Sequence, residues 1–230
     1  ALKLIEQAND LAIVHGPPGT GKTTTLIQAI VSATQKYEQV MVCAPSNAAV
    51  DLLVERMGDE NLDVLRLGHP ARIDEKIIQR TLDAKILSHP SYKTYKKLRK
   101  TAEEYRRKAN KYKRNFGHAE REKRKMNYSE AGRYLSEARQ LYDYMTHSIL
   151  NSCQVIACTL VGAASNLLKG KSFQVVFLDE AAQGLEPATW IPVLKAHKVV
   201  LAGDHCQLPP TIKSREAATK GLQKTLFEKA

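Results

Sequence analysis

Gly16-Pro17-Pro18-Gly19-Thr20-Gly21-Lys22-Thr23 decides the fold of this chain. It fits the phosphate-binding loop pattern G-x-x-x-x-G-K-[ST] at every fixed position. Glycines let the backbone wrap tightly, so that successive N–H groups face one polyphosphate and the following helix turns its positive end to the same charge. Lys22 is then placed for the β- and γ-phosphates, and the Thr23 hydroxyl for a magnesium ion. With glycine at roughly 7% of average usage, this combination arises by chance in roughly one chain of this length in a hundred. The context strengthens it. Leu11 to Val14 is a short apolar run of buried-strand type, and Thr23 to Gln35 carries Leu26, Ile27, Ile30 and Val31 at helical spacing.

Working outward, Gln39 to Ala44 reads as a second buried strand stopped by Pro45. Pro45-Ser46-Asn47 is a turn able to cap a helix from about Ala48 to Met57, which Gly58 should end. Val64 to Leu67 reads as a third strand. Further along, Gln154 to Cys158, Phe173 to Leu178 and Lys198 to Ala202 are strand-like, with Leu160 to Lys169 a candidate short helix. Strands alternating with helices predict an α/β fold, a parallel sheet with helices on both faces.

Between about Ala71 and Leu150 the alternation stops. Tyr95, Leu98, Ala102, Tyr105, Ala109, Tyr112, Phe116 and Ala119 form one heptad seam, and Ala131, Tyr134, Ala138, Leu141, Met145 and Ser148 a second. The second follows a cap expected at Asn127, with Glu130 three residues on. Two helices with a break near Gly117 to Asn127 predict an antiparallel hairpin inserted into the sheet domain. The expected boundaries are residues 1–70 and 151–230 for the sheet domain and 71–150 for the insertion.

The chain has 230 residues and a net charge of +11, and that charge is local. Ser91 to Lys125 holds fifteen Lys and Arg against four Glu, while the remainder carries twenty of each sign. Eight of the nine tyrosines lie between Tyr92 and Tyr144. Basic residues with interleaved aromatics suit nucleic acid, with Lys96, Lys97, Arg106, Arg107 and Lys111 as phosphate contacts. Tyr95, Tyr105, Tyr112 and Tyr134 fall on the seams, where packing is the simpler role, and a protein-docking or purely structural insertion stays open. Cys43, Cys153, Cys158 and Cys206 lack metal-ligand spacing and read as reduced thiols, and the seven histidines show no ligand spacing either. No apolar stretch approaches a membrane span and no signal-peptide pattern is present. The expectation is a monomer without a membrane partner, inside the cell, in cytoplasm or nucleus.

Acidic residues at the exit of a buried strand are what a nucleotide site needs, because parallel strands bring their carboxyl ends together beside the phosphate loop. Asp179 is placed to hold magnesium through water, and Glu180 to polarise the attacking water as general base. Two solvated carboxylates opening a helix are the plainer alternative.

Five stretches then stand in order: Gly16 to Thr23, Ala44 to Asp51, Ala157-Cys158-Thr159, Asp179-Glu180-Ala181-Ala182-Gln183, and Gly203-Asp204-His205-Cys206-Gln207-Leu208-Pro209-Pro210. Together they resemble motifs I, Ia, Ic, II and III of superfamily 1 helicases, in the branch of the nonsense-mediated-decay helicase, senataxin and the immunoglobulin-mu-binding helicase. The resemblance implies a P-loop NTPase with a RecA-like first motor domain, using ATP and Mg2+ to move 5′ to 3′ along single-stranded RNA or DNA. Lys22, Asp179, Glu180 and Gln207 would be catalytic. Gly16, Pro17, Pro18, Gly19, Thr20, Gly21, Lys22, Thr23, Thr24, Gln183 and Asp204 would contact nucleotide, and Thr23 and Asp179 the metal. Pro45, Ser46, Asn47 and Thr159 would touch the strand.

The same resemblance expects a second RecA-like domain after Ala230 and an adenine-binding segment before Ala1. The 230 residues are therefore expected to act as a fragment that binds nucleotide and hydrolyses it at least ~1000-fold more slowly than an intact enzyme. A P-loop phosphotransferase and a non-catalytic, nucleotide-switched scaffold are the rival readings.

Overall fold

The structure is a computed structural model that describes residues 1–17, 19–69, 73–111 and 117–230. Six strands form one parallel sheet: β1 (Leu11–His15), β2 (Val40–Ala44), β3 (Val64–Arg66), β4 (Val155–Thr159), β5 (Phe173–Leu178) and β6 (Ala196–Gly203), in the order β1-β6-β5-β2-β4-β3. Helices α1 (Leu2–Gln7), α2 (Lys22–Lys36) and α3 (Asn47–Asp59) precede β1, β2 and β3 in the chain. All five residues of β2 are buried, so both of its faces are covered. On one face Val40, Val42 and Ala44 join Leu26, Ile30, Leu53 and Met57 in the main core. β1 departs from the expected buried strand: it borders β6 alone, and Leu11 and Ile13 are more than 40% exposed.

Two helix boundaries also differ from expectation. α3 runs through Gly58 to Asp59 instead of stopping at the glycine. Gly58 makes room: a Cβ there would lie 2.0 Å from Arg80 Nη2, while Arg80 Nη1 donates to the Leu62 carbonyl at 3.2 Å. Leu160 to Lys169 forms two 3-10 turns, Val161–Ala164 and Asn166–Leu168, because side chains break the helix locally. The Thr159 hydroxyl accepts from Gly162 N at 3.0 Å and Ser165 Oγ accepts from Leu167 N at 3.3 Å.

The chain divides into two compact units, residues 1–82 with 152–230, and residues 83–151. The second unit holds most of α4 (Leu82–Ser88), all of α5 (Tyr92–Asn110) and nearly all of α6 (His118–Ser152). Tyr105 stacks on Tyr134 with ring centroids 5.7 Å apart, and Tyr95 meets Tyr142 at 5.7 Å, so α5 and α6 are antiparallel. The seam positions Ala102, Ala109, Ala131, Ala138 and Met145 are buried. α6 begins nine residues before the expected cap at Asn127, because His118 to Met126 is rich in Glu, Lys and Arg and contains no helix breaker. Tyr112 and Phe116, the last but one and two of the first seam, lie outside the described residues. Among the described residues no helix is long and apolar enough to cross a membrane.

Candidate functional site

Strand order distributes the motifs along the carboxyl edge of the sheet. β1 leads into the phosphate loop, β6 into Asp204 to Gln207, β5 into Asp179 to Gln183, β2 into Pro45 to Asn47, and β4 ends at Thr159. His15 pairs with Gly203 in register and Ala44 with Thr159, while Asp179 N donates to the Cys43 carbonyl at 2.9 Å. Five stretches scattered through the sequence thus become neighbours. The expected nucleotide residues occupy one half of the edge and the expected strand contacts the other.

In the phosphate loop Gly19 and Gly21 have φ of 78° and 79°, conformations that an L side chain resists. Gly16 is buried, and a Cβ there would lie 2.8 Å from Thr20 Oγ1. The Thr20 hydroxyl donates to the Pro17 carbonyl at 2.7 Å, which closes the loop. Lys22 Nζ reaches back to the carbonyls of Gly16 and, at 3.0 Å, Pro17. Thr23 and Thr24 open α2, Thr24 exposed to solvent. Pro18 lies outside the described residues.

Asp179 is buried at the end of β5. That burial pushes its carboxyl up to about 6, and the adjacent Glu180 charge adds to the rise. The Glu180 N–H, Lys22 and the Thr23 hydroxyl pull the other way without cancelling it. Lys22 and Thr23, the two residues expected to serve phosphate and metal, are thus among the groups whose charge or hydroxyl acts on Asp179. Glu180 itself adopts a left-handed conformation, φ 51° and ψ 36°, which costs a non-glycine residue about 1 kcal/mol or more. Gln183 Nε2 donates to Glu180 Oε2 at 3.0 Å and so fixes the carboxylate.

Beyond β6, Asp204 is buried and accepts three contacts. Gln207 Nε2 donates to Oδ2 at 3.0 Å, Cys206 N donates to Oδ1 at 3.0 Å, and His15 Nε2 lies 3.5 Å from Oδ1. The Gln207 bond first, then the Cys206 N–H, hold the carboxyl below the usual carboxylate range. His205 stacks on His15 at 4.9 Å, so His15, Asp204 and His205 each offer a ligand atom within 4.8 Å of the others. No spacing in the sequence pointed to that grouping, which parallel strand pairing creates. Gly203 lets the strand end approach the turn after β5 closely, since a Cβ would stand 3.0 Å from Ala182 N and push that backbone aside by a few tenths of an ångström.

On the other half, the Ser46 side chain caps α3, accepting from Ala49 N at 3.1 Å. Asn47 is half-buried and its Oδ1 accepts from Arg66 Nη2 at 3.0 Å. Arg66, absent from the expected site residues, is almost wholly buried beside Asp51. Cys43 and Cys158 are buried register partners with sulfurs 3.6 Å apart, and their contact and burial raise the Cys43 thiol well above its ordinary value, which leaves it unreactive. In the helical unit Lys96, Lys97, Arg106, Arg107 and Lys111 are all exposed. Lys111 also lines a cleft with Lys108, Lys123 and Arg124.

Residues 1–215 match the family described as AAA domain. The chain belongs to that family. This AAA domain is 40% identical over 231 residues to the DNA-binding protein SMUBP-2 of Mus musculus, covering 96% of the chain and 22% of that protein. It is 36% identical to the DNA polymerase alpha-associated DNA helicase A of Schizosaccharomyces pombe, over 94% of the chain and 32% of that protein. With the regulator of nonsense transcripts 1 homolog of Drosophila melanogaster the identity is 33%, over 95% of the chain and 17% of that protein. The chain therefore spans between about a sixth and a third of the length of these relatives. The matches uphold the first motor domain of superfamily 1 helicases as the type of this AAA domain.

Proposed function

We propose that this AAA domain is the nucleotide-binding motor half of an ATP-dependent helicase or translocase that grips a single strand of nucleic acid. The observation that supports it best is the edge order just described: phosphate loop, γ-phosphate candidates, acidic pair and strand-contact candidates lie on successive strand ends of one sheet. The relatives named above are a DNA-binding protein, a DNA helicase and a regulator of nonsense transcripts, which favours a motor over a phosphotransferase.

The donor set suits magnesium and polyphosphate. A threonine hydroxyl and a buried carboxylate are hard oxygen ligands of the kind magnesium takes, and the loop glycines leave the backbone open to a phosphate chain. Thr23 and Asp179 would hold the ion, and Lys22 and the N–H groups of Gly19 to Thr24 the phosphates. When bound, magnesium-ATP supplies the phosphoanhydride bond and the divalent charge that offsets its negative oxygens. Lys22 would exchange its loop carbonyls for phosphate oxygen. Glu180 would accept a proton from water at the carboxylate oxygen that Gln183 leaves open. Asp204 would hold the Gln207 amide in the plane from which it senses the γ-phosphate. Pro45, Ser46, Asn47 and Thr159 would contact the strand backbone, and the exposed cations of α5 would add phosphate contacts.

Nucleic-acid-stimulated ATP hydrolysis by the intact protein tests this. Lys22→Ala should abolish nucleotide binding, whereas Glu180→Gln should keep binding and stop turnover. Equal loss of binding in both would contradict the roles assigned.

A further inference from the structure

Arg66 is the largest of the fully buried side chains, at 1% exposure. It sits on strand β3, paired with Ala157 of β4, and its guanidinium ties the start of α3, 15 and 19 residues back in the chain, to the end of its own strand. Nε donates to Asp51 Oδ1 at 2.7 Å, Nη2 to Asn47 Oδ1 at 3.0 Å and Nη1 to the Leu67 carbonyl at 2.5 Å. The second Asp51 oxygen accepts from Asp74 N at 3.0 Å. Gly68 follows from the same packing, because a Cβ there would lie 2.9 Å from Arg66 Nη1.

A buried ion pair is a poor source of stability, since desolvating both charges costs about as much as their attraction returns. What it does supply is direction. Guanidinium carries donors only, so the group of Asn47 that faces it must be the carboxamide oxygen. The planar fork sets Asp51 and Asn47, one helical turn apart, in fixed orientation on the first two turns of α3. With Oδ1 committed, Asn47 is left with Nδ2, an N–H donor suited to a phosphate oxygen.

We propose that Arg66, braced by Asp51, is a positioning residue for strand binding: it holds the Asn47 carboxamide so that its N–H2 end meets the nucleic-acid backbone. This rests on the reading of Pro45 to Asn47 as a strand contact. Arg66 itself touches no strand, and its influence passes through Asn47.

A mutant cycle tests it. Asp51→Leu with Arg66→Met removes both buried charges together and avoids leaving one unpaired. That pair is combined with Asn47→Ala, and dissociation constants are measured for a fluorescent single-stranded oligonucleotide, as DNA and as RNA, and for a fluorescent ATP analogue. The expected result is an about tenfold loss of strand affinity for Asn47→Ala, the scale of one hydrogen bond to a charged group. The charge-pair variant should lose the same factor, the triple variant no more than either, and nucleotide affinity should stay within about twofold. Arg66→Lys, which keeps one charge contact and loses the fork, should reproduce the loss and serves if the apolar pair fails to fold. Factors that multiply in the triple variant, or a charge-pair or Arg66→Lys variant that binds strand as the parent does, would overturn the inference. An unchanged Asn47→Ala affinity would remove the strand contact and this inference with it, while leaving the nucleotide roles of Lys22 and Glu180 standing.

Discussion

The two halves of the sheet edge are held in different ways. On the nucleotide half the side-chain hydrogen bonds of Gln183, Gln207 and Lys22 are local in sequence: Gln183 to Glu180 and Gln207 to Asp204 span three residues, and Lys22 to Gly16 spans six, with His15 meeting Asp204 across the sheet besides. On the strand half Arg66 reaches Asp51 and Asn47 across 15 and 19 residues, and Asp74 reaches Asp51 across 23. A motif compact in sequence can therefore carry its own geometry, whereas a turn such as Pro45 to Asn47 borrows its geometry from strand β3 and the segment that follows it.

The largest effect should come from breaking the local half at one carboxylate. Glu180→Gln is expected to lower turnover by about 10^2 to 10^4 while nucleotide affinity stays within about twofold, measured by steady-state hydrolysis and analogue binding. A comparable fall in affinity would make Glu180 a binding residue and erase the division of labour with Lys22.

Asp179 sharpens the contrast through pH. Its carboxyl rises from 3.8 to about 6 on folding, so between those values the folded state binds more protons than the unfolded chain. The penalty is fully present above about pH 6 and vanishes below about pH 4. Asp179→Asn should therefore stabilise the nucleotide-free protein by up to about 3 kcal/mol near pH 7.5, with the gain shrinking towards pH 4. Denaturant melts at both pH values check it, and a gain independent of pH would place its source elsewhere.

Gly58 probes the half held at long range. A helix-interior glycine replaced by alanine ordinarily gains up to about 1 kcal/mol. Here the added methyl makes the Arg80 guanidinium, the end of a flexible side chain, swing aside and give up its bond to the Leu62 carbonyl, so Gly58→Ala should stay within about 0.5 kcal/mol of the parent and forgo the usual gain. A higher melting temperature would show that Arg80 moves aside freely. The smallest effects belong to the basic helices. Each of Lys96, Lys97, Arg106, Arg107 and Lys111 that contacts a phosphate should, on neutralisation, lower the salt slope of strand binding by about one. An unchanged slope after all five would leave α5 without that role.

What was legible in the sequence follows the same division. The phosphate loop, the acidic pair after β5 and the Asp204 to Gln207 turn were readable because each is one contiguous run at a strand end. The seams of α5 and α6 were readable from their 3,4 spacing, and buried Ala102, Ala109, Ala131 and Ala138 agree with it. Arg66 was not, because a lone arginine in Val64 to Leu67 looks like the exposed side of a strand, and only the return of α3 over β3 surrounds it with Asp51 and Asn47. His15 and His205 likewise meet through β1–β6 pairing across nearly the whole chain. Gly58 read as a helix stop because glycine after an apolar face ordinarily ends a helix, and local sequence does not place Arg80 beside it.

If nucleotide binds one half of the sheet edge and a strand the other, as proposed, occupancy of one half should change affinity at the other. The most direct measurement is the affinity of this AAA domain for a single-stranded oligonucleotide with and without saturating non-hydrolysable ATP analogue and magnesium. A change of at least about fivefold is expected, the lower end of allosteric coupling, abolished by Lys22→Ala. Identical strand affinity in both conditions, with analogue binding verified in the same samples, would contradict it.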